Sequence, residues 1–311
     1  MTRDVLLVSP LHAGTQVELE AGYAVHRLWQ AADRDALLAT VAPHVEICVT
    51  TGGAGASRGL IERLPALKLI ACFGVGVDAI DLAAARERAI AVTNTPDVLT
   101  DDVADLALAL VLDAMRGISA GDRYVRAGSW LDGTFPLQVR MSGKRLGIVG
   151  MGRIGQAIAR RAAAFDMQIA WQGPRRKQLP YRYEPDVVAL AQSVDVLIAA
   201  CPGGEPTRGL ISRRVLQALG PHGFFVNIAR GSVVDEAALV ELLATGQLGG
   251  AGLDVFTDEP HVPGGLLGLD NVVLQPHVAS ATQETRTAMG RLVLDNVAAF
   301  VAGRPLITPV S

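Results

Sequence analysis

The sequence predicts an α/β protein built from two doubly wound parallel-sheet domains. Three observations lead there. Short runs of β-branched and aliphatic residues alternate with segments of helical spacing along nearly the whole chain. The alternation falls into two series, separated by a stretch rich in Gly and Ser. The second series opens on a glycine-rich turn between a strand and a helix. At 311 residues, half of them hydrophobic, the chain is long enough for two cores of ordinary size.

In the first series DVLLVS, AVHRLW, EICVTT, KLIACF and AVTN read as strands, with DRDALLATVA and DLAAARERA as helices between them. Such repetition predicts a parallel sheet covered by helices on both faces. The amphipathic stretch TDDVADLALALVLDAMRGISAGDRYVRAG reads as a helix leaving the first domain, and SWLDGTFPLQVRMSGK as the loop entering the second. KRLGIVG, MQIAW, VDVLIAAC, GFFVNIA, AGLDVF and NVVLQP are six candidate strands, the number a doubly wound dinucleotide fold requires. The last helical pattern, ATQETRTAMGRLVLDNVAAFVAG, is long enough to bring RPLITPVS back to the first domain. The expected boundaries are 1–98 with 284–311 for a discontinuous first domain, and 99–283 for the second, dinucleotide-binding one.

A net charge of −3 without a long Lys/Arg run argues against nucleic acid as a partner. Cys48, Cys72 and Cys201 lie far apart in apolar runs and read as buried free thiols. The opening MTRDVLLVSP lacks a signal-peptide pattern, and no run of about 18 apolar residues suggests a membrane span. A cytoplasmic protein with no membrane partner and no metal is expected.

The glycine motif joins Gly150, Gly152 and Gly155 between the strand KRLGIV and the helix RIGQAIARRAAAF. Gly150 permits the tight turn, Gly152 lets backbone amides approach a pyrophosphate, and Gly155 lets helix and strand pack closely. Arg153 adds charge to the helix N-terminus. A close-packed turn without a ligand is the alternative. At the tip of the next strand, MQIAW, an NAD site usually carries an acid for the ribose hydroxyls. Here no acid stands between Asp166 and Glu184, and Arg175, Arg176 and Lys177 arrive together. An arginine pair binds a 2′-phosphate that an acid would repel, so NADP is expected to be preferred, with NAD also possible. The alternative is a solvated basic loop.

Three polar residues stand at the ends of successive strands: Arg230 after FFVNIA, Glu259 near the end of GLDVFTDEP and His277 after NVVLQP. Strand carboxyl ends are where open α/β sheets place ligands. A cation, an acid and an imidazole there suggest proton transfer beside an anionic substrate. Singly, each has an ordinary reading: a loop ion pair, a surface acid, a satisfied turn histidine. His222 and His261 lie in polar Pro-containing loops and receive no role.

LGIVGMGRIG, NIARGSVVDEAAL, GGAGLDVFTDEP and LQPHVAS, with FGVGVDAIDL and VTNTPDVLTDDVADLAL before them, together resemble the D-isomer-specific 2-hydroxyacid dehydrogenase family. The resemblance covers nearly the whole chain, in order. DVLTDDVADLA, SGKRLGIVG and RPLITPV look closest to the hydroxyphenylpyruvate and glyoxylate/hydroxypyruvate reductases. It implies a Rossmann-type cofactor domain inserted in a flavodoxin-like substrate-binding domain, and a homodimer. It further implies that Arg230 binds the substrate carboxylate and polarises the keto oxygen. His277 is then the general acid in reduction, and Glu259 favours its protonated form. Val75 and Gly76 offer amides to the carboxylate. The dinucleotide is met by Gly150, Met151, Gly152, Arg153, Ile154, Gly155, Gly173, Arg175, Arg176, Ile228 and Asp254, the last facing the nicotinamide carboxamide. The implied reaction is NADPH-dependent reduction of a small 2-oxo acid (glyoxylate, hydroxypyruvate or a phenylpyruvate-type acid) to the D-2-hydroxy acid. Two alternatives stay open: a nucleotide-sensing regulatory protein on the same fold, and an NAD-dependent relative such as phosphoglycerate dehydrogenase. Trp29 is a candidate for lining the substrate pocket, or for the core. Trp130 and Phe135, in SWLDGTFPL, look exposed and suggest the dimer surface.

Overall fold

The structure, a computed structural model, describes residues 3–310. The chain divides into two compact units, Met1–Leu99 with Ser280–Ser311, and Thr100–Ala279.

The first unit runs β1 (Asp4–Leu7), α1 (Ala13–Gly22), β2 (Ala24–Arg27), α2 (Arg34–Val41), β3 (Ile47–Thr51), α3 (Arg58–Glu62), β4 (Leu69–Phe73), α4 (Leu82–Glu87) and β5 (Ala91–Thr93). Its five strands are ordered β2-β1-β3-β4-β5, all parallel. This is the flavodoxin-like order. Aliphatic and β-branched residues on both faces, such as Ile47, Val49, Leu69 and Ile70, are fully buried. That is what a sheet covered by helices on both sides requires. The helices start where sequence offers a cap: Asp33 accepts from the Asp35 and Ala36 amides, Ser57 from Leu60, and Asp81 from Ala84.

The second unit runs α5 (Thr100–Arg116), α6 (Ile118–Arg126), β6 (Arg145–Val149), α7 (Arg153–Ala163), β7 (Gln168–Gln172), β8 (Arg182–Tyr183), α8 (Val187–Gln192), β9 (Val196–Ala199), α9 (Arg213–Leu219), β10 (Phe224–Asn227), α10 (Glu236–Ala244), β11 (Gly250–Leu253), α11 (Gly264–Leu267) and β12 (Val272–Leu274). The strand order is β12-β11-β10-β9-β6-β7-β8, all parallel. Counted from β6, this is the Rossmann order with one strand added beyond β11, and its direction of winding reverses between β6 and β9. Helix α5 buries Val103, Ala104, Ala107, Leu108, Leu110, Val111 and Met115. It lies flush on β11 because Gly252 has no side chain: a methyl there would stand 2.8 Å from Leu110 Cβ.

Three local expectations are corrected. The single long helix is two helices, broken at Gly117, which takes a left-handed φ of 60°. Asp113 secures the break by accepting from the Ser119 amide at 2.8 Å. The strand β8, two residues long, is additional to the six read from sequence. Phe135 is half-buried, its ring 5.4 Å from that of Tyr124, whereas Trp130 is exposed.

The chain then returns to the first unit through α12 (Gln283–Val301), capped by Thr282 on the Thr285 amide. Arg286 lies over the Phe73 ring at the end of β4, and Thr285 Oγ1 donates to the Val98 carbonyl. After α12, Val310 N donates to Val92 O at 2.8 Å and Asn94 N to Thr308 O at 3.3 Å. The buried Asn296 holds this segment, accepting from the amides of Ile307 and Thr308. Among the described residues no helix is long and apolar enough to cross a membrane, and all three cysteines are buried free thiols.

Candidate active site

Strand β6 delivers the chain to Gly150, which turns at a φ of 99°. An added Cβ there would stand 2.6 Å from Cys201 N and Cα, so the turn lies directly against the segment leaving β9. At Gly155 the Cβ would meet Gly150 O at 2.2 Å, which presses the first turn of α7 onto the glycine loop. Gly152, the N-cap of α7, faces open space, with nothing within 4 Å of a Cβ. Met151 is buried, Ile154 half-buried and Arg153 exposed. An eleven-residue helix thus presents its first amides beside an open backbone position. That arrangement fits a dinucleotide pyrophosphate.

At the tip of β7, Gly173 is buried and its carbonyl accepts from Tyr183 OH at 2.9 Å, while Arg175 and Arg176 are exposed. Lys177 folds back, its Nζ donating to the Met151 carbonyl at 2.8 Å. An ammonium therefore sits against the glycine loop itself. The parallel pairing of β8 with β7 also brings Glu184 close in space, its amide on Trp171 O at 2.9 Å. The Glu184 carboxylate is turned to the Asp186 amide and to Arg182, at 3.3 and 3.6 Å.

Arg230 leaves β10 through a turn that Asn227 builds. This fully buried side chain accepts from the Ala229 amide and donates to the Arg230 carbonyl, at 3.0 and 2.9 Å. Arg230 is half-buried and its Nη1 donates to Ala229 O at 2.7 Å. The next residue is Gly231, where a Cβ would stand 2.0 Å from the Phe256 carbonyl carbon. Only glycine lets the Arg230 turn lie against the segment leading from β11 to Glu259.

Glu259 divides its carboxylate. Oε1 accepts from the Phe256 amide at 3.1 Å, and Oε2 lies 2.7 Å from His277 Nδ1. Burial pushes the Glu259 carboxyl up. The hydrogen bond and charge of His277, the Phe256 amide and the Arg230 charge outweigh it, and the carboxyl ends below its usual range. An ionised carboxylate only accepts hydrogen bonds, so Nδ1 carries a proton and Nε2 is the atom left to exchange one. His277 itself has φ 54°, a left-handed backbone that histidine tolerates better than most residues. Asp254 holds it there: its carbonyl accepts from the His277 amide at 2.8 Å, and its two carboxylate oxygens accept from Val278 and Ala279, at 2.7 and 3.0 Å. Asp254 is 1% exposed, and burial pushes its carboxyl up against the pull of those two amides. Ile228 is buried at the same strand end, its amide on Ala199 O at 3.3 Å.

The family model of the D-isomer-specific 2-hydroxyacid dehydrogenase NAD-binding domain matches residues 108–279. The chain belongs to that family. It is 48% identical over 307 residues to glyoxylate/hydroxypyruvate reductase A of Arabidopsis thaliana, covering 98% of each chain. To the hydroxyphenylpyruvate reductase of Plectranthus scutellarioides it is 48% identical over 308 residues, again covering 98% of each. Among solved structures, the NADPH-dependent glyoxylate/hydroxypyruvate reductase of Sinorhizobium meliloti in complex with NADP and malonate superposes with a TM-score of 0.94 at 40% identity, over 100% of this chain and 97% of that one. The protein is thus an NAD(P)-dependent oxidoreductase that interconverts 2-hydroxy and 2-oxo acids.

In the first unit of this dehydrogenase, Val75 and Gly76 follow β4. Asn94 Nδ2 donates to the Val75 carbonyl at 2.8 Å, and Cys72 Sγ approaches the Gly76 carbonyl at 3.7 Å. A trans peptide points its N–H opposite to its C=O, so the amides of Gly76 and Val77 are turned away from those two partners. Trp29 is half-buried beside β2. Sequence reasoning missed Asn227, although a polar residue ending the otherwise apolar FFVN was a signal.

Proposed function

We propose that this dehydrogenase reduces a small 2-oxo acid, such as glyoxylate, hydroxypyruvate or a phenylpyruvate-type acid, to the D-2-hydroxy acid, with NADPH preferred over NADH. The observation that carries the reading is the Glu259–His277 pair at 2.7 Å, set at strand ends with Arg230 near enough to depress the same carboxyl. The second unit is the dinucleotide-binding domain and the first the substrate-binding domain.

A bound dinucleotide would supply the hydride for C2 of the substrate. As the C2=O bond becomes an alkoxide, the Nε2 proton of His277 passes to that oxygen. Glu259 fixes the imidazole through Nδ1 and balances its charge. Arg230 places a fixed positive charge where negative charge develops and pairs with the substrate carboxylate. In the first unit, Val75 and Gly76 are the residues whose amides would serve substrate binding. The turn of Gly150 to Gly155 and the α7 N-terminus would hold the pyrophosphate, and Ile228 and Asp254 would serve the nicotinamide end. Arg175 and Arg176 bind the 2′-phosphate.

A panel of 2-oxo acids with each cofactor, compared by kcat/KM, tests the proposal. Replacing Arg175 and Arg176 together by Ala should raise KM for NADPH about tenfold or more and leave NADH nearly unchanged, since a charge-assisted hydrogen bond contributes about 1.5–3 kcal/mol. A wild-type kcat/KM for NADH equal to or above that for NADPH refutes the preference. We further infer a homodimer. Trp130, Leu131 and Leu137 are 68%, 92% and 101% exposed on one short segment, large apolar side chains that a second copy of the chain would cover. A monomeric mass in light scattering at micromolar concentration refutes it.

A further inference from the structure

A second cluster of chemistry-bearing side chains lies in the first unit and belongs to none of the machinery above. Asp4 opens β1, His26 lies in β2 and His44 in the turn between α2 and β3. Strand β2 is an edge of its sheet, paired in parallel with β1 so that Leu6 stands opposite His26. Alternation along β1 then sets Asp4 on the same face as Leu6, and the His26 side chain reaches it there. His26 Nε2 lies 2.7 Å from Asp4 Oδ1, and His44 Nε2 lies 3.9 Å from the same oxygen. The two rings meet edge to face with centroids 6.5 Å apart. One ligand atom from each of the three residues falls within 4.8 Å of the other two.

We propose that Asp4, His26 and His44 form a binding site for one divalent transition-metal ion of zinc type. Tetrahedral zinc with bonds of about 2.0–2.1 Å to imidazole and carboxylate requires donors about 3.3–3.4 Å apart. The Asp4–His26 separation must open by roughly 0.6 Å and the Asp4–His44 separation close by roughly 0.5 Å, both within side-chain rotation. Two imidazoles and one carboxylate select zinc, copper or nickel over the oxygen-preferring magnesium and calcium. The side chains are 28%, 28% and 48% exposed, so solvent can reach the ion and complete its coordination. Arg3, next to Asp4 in sequence, pairs with Glu46. The ion would tie the edge strand to its neighbour and to the turn after α2, while the reaction proceeds elsewhere.

The test titrates Zn²⁺ into tag-free, full-length protein by calorimetry near neutral pH. It compares wild type with His44→Ala, His26→Ala and Asp4→Asn. The expected result is one equivalent bound by wild type, with affinity at least tenfold weaker in each variant and 2-oxo acid reduction unchanged in His44→Ala. His44 is half-exposed in a turn, so its replacement keeps the test valid even if the strand variants fold poorly. Electron paramagnetic resonance of bound Cu²⁺ should show couplings to two imidazole nitrogens in wild type and one in His44→Ala. No uptake by wild type at millimolar Zn²⁺, or equal affinity and stoichiometry in wild type and His44→Ala, overturns the proposal.

Discussion

Substituting Gly231 by Ala tests whether the active-site turns depend on one close backbone approach. A methyl at this position would stand 2.0 Å from the Phe256 carbonyl carbon, 2.1 Å from its oxygen and 2.3 Å from Thr257 N. Carbon atoms rest at about 3.5 Å or more, so the 256–257 segment must retreat by roughly 1.5 Å. The obstacle is backbone and cannot rotate aside, which puts the overpacking cost near the upper end of its range, about 3 kcal/mol. For a unit of this size that lowers the melting midpoint by roughly 6–12 °C. The Phe256 amide is one of the two partners of Glu259, so the carboxylate moves with the segment and draws on the His277 contact. A displacement of about 1 Å at a reacting group costs about 10²-fold in rate. Scanning calorimetry and steady-state kinetics with glyoxylate and NADPH measure both effects. A midpoint within about 2 °C of wild type, together with kcat within about threefold, refutes the reasoning.

Gly152→Ala is the contrasting case: a Cβ there meets nothing within 4 Å, so the midpoint should stay within about 1 °C while KM for the dinucleotide rises severalfold. An unchanged KM would remove Gly152 from the cofactor site. His277→Ala should lower kcat by about 10² to 10⁴-fold with the fold intact, the span expected for a lost general acid; near-normal turnover would end its assignment. The Glu259 carboxyl is held below its ordinary value of 4.5 in the folded state. Its contribution to stability is therefore complete above that value and lost as pH falls through the lower folded one. The difference in melting midpoint between wild type and Glu259→Gln should be present at pH 5 and shrink toward pH 3. A difference that does not change with pH would show that the carboxylate charge contributes nothing.

Both sheets were legible in the sequence because buried parallel strands are apolar on both faces, as in ICVTT and LIACF, and need no alternation to be seen. Strand β8 escaped because a two-residue edge strand between prolines has no apolar run to announce it. The break between α5 and α6 was hidden because amphipathic spacing continues through Gly117, and only backbone dihedrals distinguish a tolerated helix glycine from a left-handed one. Arg230, Glu259 and His277 could be singled out as polar residues at apolar strand ends. What Asn227 and Asp254 do could not, since their partners are backbone amides, which every residue but proline carries alike. The basic run at Arg175 to Lys177 was visible, but not that Lys177 turns back onto Met151, because direction in a loop is set by tertiary contact.

The return of the chain to β5 sets an order of events during synthesis. Thr308 Oγ1 donates to the Asn94 carbonyl across 214 positions of sequence. At about 5–20 residues per second, the ribosome needs roughly 10–40 s between making those two residues. For that interval β5 is an open sheet edge, and Phe73 lacks the guanidinium of Arg286. The second unit, contiguous in sequence, is complete earlier and has no such wait. A nascent first unit therefore spends tens of seconds as a template for strand pairing with other chains. Chaperone demand and aggregation during expression should depend on translation speed between residues 94 and 308 more than on the stability of the finished enzyme.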